Sequence, residues 1–180
     1  MALSPRARKL ALTAHVTASV GWLGAVAVFL ALAITGLTSQ DAQTARSAYV
    51  AMDVTGWTVI VPLSIASLVT GVVSSLGTSW GLLRYYWVTV KLTLTLLATG
   101  ALILHMPPIS HIAHAATDTG WSAGEFDALR TQLVVQSGAA LLVLLVATAL
   151  SVYKPQGRTR YGARRQRQER TLVRRAATQP

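Results

Sequence analysis

Apolar residues in this chain come in long runs, not in strict alternation or narrow amphipathic stripes. A bilayer-crossing helix needs about 20 mostly apolar residues. Four runs qualify, from about Ala11 to Leu37, Thr55 to Gly77, Tyr86 to Met106 and Leu133 to Tyr153. The pattern predicts an all-α protein whose residues 1–153 form a four-transmembrane-helix bundle. The first run follows Arg6, Arg8 and Lys9, as a secretion signal would. It is longer than the roughly 7–15 apolar residues of such a signal, and no small-residue cleavage site closes it. It reads as a retained helix.

Local signals set the ends. Ser4-Pro5 is a cap followed by a first-turn proline and starts the first helix ahead of its apolar run. Asp41 to Met52 reads as a helical lead into the second span. Pro62 should kink that span, and Pro107-Pro108 should end the third sharply, because proline lacks a donor and disfavours helix in the residue before it. Ser122 and Glu125 have capping-box spacing and would start the fourth helix ahead of its span.

Composition agrees: 52% of the 180 residues are hydrophobic, 12% are charged, and mean hydropathy is +0.47. The net charge of +10 resembles a nucleic-acid signal until the charges are located. Nine of the sixteen Lys and Arg lie between Lys154 and Pro180, a basic tail (154–180) expected to be disordered beyond about Tyr161. The flanks on one side carry +3, +1 and +8, and the loops on the other −1 and −2. By the positive-inside rule both termini are cytoplasmic. Trp80, Tyr85, Tyr86 and Trp87 crowd the short inner loop, where amphipathic rings favour the headgroup level. The Arg-rich tail suits anionic lipid headgroups. It lacks interleaved aromatics, so no nucleic acid is expected.

The chain contains no cysteine, which excludes disulfides, thiolate metal sites and cysteine nucleophiles. It also lacks a phosphate-binding glycine loop, an HExxH pair and a nucleophile elbow, so hydrolase and NTPase readings have no support. Small residues such as Ser67, Gly71 and Ser75, or Ser19, Gly21 and Gly24, provide surfaces for close helix packing.

Ionisable residues at membrane depth are costly and read first as functional. His15 and Lys91 each lie about five residues into a span from the inner side, at a shared depth of roughly 7–8 Å. They meet if the first and third spans are neighbours; otherwise Lys91 snorkels to the headgroups. His105 follows Lys91 by two heptads, so the two share a helix face with Trp87, Ala98 and Leu102. That separation is roughly 21 Å along the axis. Axial haem nitrogens are about 4 Å apart, so His15 and His105 cannot ligate one haem together. A second set, His105, Met106, His111 and His114, lies toward the outer side and suits copper or zinc, or is simply solvated.

His15 followed by Gly21-Trp22-Leu23-Gly24 resembles the first-helix pattern of CopD-type copper-resistance membrane proteins and of HemJ-type protoporphyrinogen oxidases. Trp87-x-x-x-Lys91-Leu92 with a later His105 is similar to the third-helix pattern of the HemJ group. The chain as a whole resembles bacterial four-helix integral membrane proteins of unknown function, which implies a bacterial plasma membrane. The HemJ resemblance implies a functional His15 and Lys91 and bound haem b. Three readings follow: a membrane protein holding haem b or another redox cofactor at His15, Lys91 or His105; a copper-handling protein using His105, Met106, His111 and His114; and a non-catalytic membrane protein partner or homo-oligomer.

Overall fold

A computed structural model describes residues 4–76, 85–117 and 126–153, together with 157, 159, 164 and 171. Ser122, Glu125, the Trp80 loop and most of the basic tail lie outside the described residues, and so do the expectations placed on them. The described residues form α1 (Pro5–Thr38), α2 (Ala42–Thr55), a π-helical turn (Gly56–Ile60), α3 (Val61–Leu76), α4 (Tyr86–Thr117) and α5 (Asp127–Tyr153).

Helix α1 begins where the sequence places it: the Ser4 hydroxyl accepts from the Ala7 N–H at 3.3 Å and Pro5 sits in the first turn. The Asp41 carboxylate caps α2, accepting the N–H groups of Gln43 and Thr44 at 3.3 and 3.0 Å. Helix α2, the π turn and α3 follow one another without a break from Ala42 to Leu76. Pro62 cannot donate to the Thr58 carbonyl and its ring crowds that oxygen. The backbone widens just before it, and the Val61 N–H bonds to the Gly56 carbonyl, five residues back.

The main departure from expectation is α4. It does not stop at Pro107-Pro108 but runs through both to Thr117. Met106, Ile109, Ile112, Ala113 and Ala116 recur at three- and four-residue steps, and all are buried. Pro in a helix interior costs about 3 kcal/mol or more, whereas burying an Ile side chain is worth about 1.5–3 kcal/mol. With two prolines the penalty is about 6 kcal/mol or more, and it takes Ile109 and Ile112 together with the buried Ala113 and Ala116 to offset it.

Helix α1 packs against α2, α3 and α5, and α4 packs against α2, α3 and α5. The starts of α1 and α4 and the later turns of α3 share one end of the bundle, here the His15 end. The end of α1, α2 and the start of α5 share the other, the Arg130 end. The core runs through Trp22, Phe29, Tyr49, Met52, Ile60, Met106, Ile112 and Leu133. Met106 is fully buried because Gly56 admits it: a Cβ at position 56 would stand 2.6 Å from the Met106 Cε.

No more than 28% of any of the four apolar windows is buried within the chain. Most of their surface therefore faces outward, the arrangement a lipid solvent favours and water does not.

Candidate functional site

At the His15 end, three helices converge on one imidazole. The His15 Nδ1 lies 3.0 Å from the Ser67 carbonyl of α3 and 3.3 Å from the Thr70 hydroxyl. A carbonyl only accepts, so Nδ1 carries the proton and Nε2 presents its lone pair. The Lys91 Nζ of α4 lies 3.3 Å from that Nε2 and donates to it. Gly71 makes room for the ring, since a Cβ there would stand 3.0 Å from the His15 Cε1. Ser19 and Ser67 join one turn farther along at 2.8 Å between hydroxyls. His15 and Lys91 thus meet at the depth they share, although α1 and α4 approach little along their backbones and it is α3 that fixes the imidazole.

His105 faces elsewhere. Its Nδ1 donates to the Ala101 carbonyl at 2.6 Å, the usual recourse of a helical polar group with no tertiary partner. It lines a mainly apolar cleft of about 380 Å³ between α4 and α5. Leu94, Ala98, Ala101 and Leu102 continue the α4 wall, and Gln136, Ser137, Ala140 and Leu144 form the α5 wall. Trp22, Val26 and Phe29 of α1 close the back. A straight helix drifts about 20° per heptad. Two heptads suffice to turn His105 into the cleft while Lys91 reaches toward α1.

The remaining members of the His/Met set do not gather. Met106 is core, its thioether against Gly56. His111 and His114 are exposed, and the His111 ring meets the edge of Phe126 at 5.9 Å between centroids. Among the described residues no group of three or more His, Asp or Glu side chains is placed to hold a metal ion.

The sequence reading missed Arg130, counting it only as a loop charge. Its side chain is buried at the Arg130 end, where Nε donates to the Tyr49 hydroxyl at 2.9 Å. One terminal nitrogen donates to the Gly36 and Leu37 carbonyls at 2.8 and 3.1 Å, the other to Asp127 at 2.9 Å. The guanidinium thus caps the last turn of α1, where free carbonyls and the helix dipole favour a cation. A signal for it existed: Arg130, Leu133, Ser137, Leu144 and Ala147 are the buried positions of α5 and share one helical face. Nearby, Trp57 donates to the Ser110 hydroxyl at 3.1 Å, which donates to Asp53 at 2.6 Å.

Four helices long and apolar enough to cross a membrane, with largely outward apolar surfaces, define a multi-pass helical membrane protein. Comparison with family models, with curated proteins and with solved structures finds no match to this chain.

Proposed function

We propose that this is a plasma-membrane protein, both termini cytoplasmic, that binds haem b in the α4–α5 cleft, where His105 would hold it. The orientation is supported by the charge bias of the flanks, which concentrates Lys and Arg on the side of the termini. The observation that carries the haem assignment is the state of the His105 ring. Its Nδ1–H is given to a backbone carbonyl, which leaves Nε2 as a lone-pair nitrogen at a mainly apolar cleft. Metal-ligating histidines are held in this way, the second nitrogen donating to a carbonyl or carboxylate.

The walls suit the group. The cleft, at about 380 Å³, falls in the size range of ligand and cofactor sites. Trp22 and Phe29 offer aromatic surface, and Ala98, Ala101 and Ala140 let a flat molecule pass between the helices. His15 is the weaker candidate, because both its nitrogens are already engaged by Ser67 and Lys91. Bound haem would supply one-electron redox chemistry; the chain's own contribution is the ligand, the apolar walls and the exclusion of water.

The test is an absorption spectrum of protein purified after haem-replete expression. A Soret band is expected in the wild type and in His15→Ala, and its loss in His105→Ala. A wild type without that band, or a His105→Ala variant that keeps it, overturns the assignment.

A further inference from the structure

The buried Arg130 and the part-buried Lys91 are treated very differently, and the difference points to a ligand. Lys91 has three N–H donors and, among the described residues, one hydrogen-bond partner, the His15 Nε2. The six acidic residues of the chain are Asp41, Asp53, Asp118, Glu125, Asp127 and Glu169. None falls within α1, α3 or α4, the helices that build the site. The His15 imidazole cannot supply the missing charge, since it is neutral when it accepts from Lys91 and positive otherwise. An ammonium in apolar surroundings without a counter-charge is among the costly arrangements in a membrane.

The lysine is also not arranged as a simple snorkelling side chain. Its Nζ is turned inward onto His15, and His15 is fixed by the Ser67 carbonyl and seated against Gly71. Yet Lys91 remains only part-buried, so its free donors stay reachable from the side. It lies five residues from the start of α4, about 7–8 Å along the helix axis. That depth is open to the head of a molecule whose tail lies among the hydrocarbon chains.

From this we infer that the His15–Lys91 site binds the oxyanion head of an anionic amphiphile, a phosphodiester or carboxylate carried on an apolar tail. The oxyanion accepts from the free Lys91 donors and supplies the charge that the helices lack. His15 holds the ammonium in place and leaves those donors directed away from α3. The site is separate from the α4–α5 cleft and does not depend on what the cleft holds.

The experiment is native mass spectrometry of the full-length protein released from nanodiscs. Three preparations are compared: phosphatidylcholine alone, phosphatidylcholine with phosphatidylglycerol, and phosphatidylcholine with oleate. Inorganic phosphate added to the first serves as the tailless arm. The wild type and Lys91→Arg should retain one phosphatidylglycerol or one oleate. Lys91→Met and Lys91→Gln should hold it about fivefold more weakly or worse, the worth of one lysine to anionic-lipid attraction. Binding by the basic tail is common to all variants and cancels in the comparison; a thermal melt of each confirms folding. Equal retention by Lys91→Met and the wild type overturns the site. Inorganic phosphate binding as well as phosphatidylglycerol overturns the requirement for a tail.

Discussion

Arg130 and Lys91 are both cations drawn into helix junctions, one at each end of the bundle. Arg130 spends its donors on a tyrosine hydroxyl, two terminal carbonyls of α1 and an aspartate. Lys91 meets one imidazole nitrogen. The first arrangement is complete within the chain and ties α1, α2 and α5 together. The second is incomplete and draws three helices toward a charge that they do not neutralise. A satisfied buried cation reads as structure, whereas an unsatisfied one reads as a place for something else. The planar guanidinium suits the first task because its fixed fork meets several acceptors at once; the compact ammonium suits the second.

The comparison breaks most easily at Arg130. Replacing it with Met leaves the Tyr49 hydroxyl and two α1 carbonyls without their donor. The expected loss is about 3–5 kcal/mol of unfolding free energy, the usual cost of removing one partner from a buried charged network. The exposed Asp127 arm contributes little of that. Thermal melts in detergent would show it, and a change near zero would remove Arg130 from its place in the argument. Gly36→Ala attacks the same junction from the other side. Its Cβ would stand 2.6 Å from the Tyr49 Cζ and 2.9 Å from its hydroxyl oxygen, displacing the acceptor that Arg130 needs. A loss of about 1–3 kcal/mol is expected, as for other overpacked contacts.

The His15 end should respond in the opposite sense. Lys91→Met removes one hydrogen bond and one uncompensated charge, so melting in a zwitterionic detergent should be unchanged or raised. A loss as large as that of Arg130→Met would show that the two ends are alike after all.

The smallest effect belongs to Asp41, exposed at the start of α2. The Thr44 hydroxyl, and then the Thr44 and Gln43 N–H groups, hold its carboxyl below the usual carboxylate range. A depressed folded-state pKa gives stability that is present above the unfolded value, about 4, and is lost as pH falls through the lower folded value. Melting temperature should therefore drop below about pH 4 in the wild type, and Asp41→Asn should flatten that part of the profile.

Much of this was legible in the sequence. The four spans, the Ser4 cap, the helical lead into the second span and the shared depth of His15 and Lys91 follow from local quantities. Those quantities are run length, cap chemistry and rise per residue, and they do not depend on neighbours. Direction of the chain through the membrane also has its argument in the charges.

Tertiary structure decided the rest. Pro107-Pro108 looks like a stop in any single-helix reading, and only the burial of the face from Ile109 to Ala116 carries α4 past it. Arg130 looks like a loop charge until the end of α1 supplies acceptors and Tyr49 a hydroxyl. Met106 sits beside His105 in sequence, yet packing sends its thioether to Gly56 and His105 to the cleft. Hydropathy and spacing fix which segments cross the membrane because each helix satisfies its own backbone. Which polar groups face each other depends on contacts between helices far apart in sequence, and those exist only once the bundle has packed.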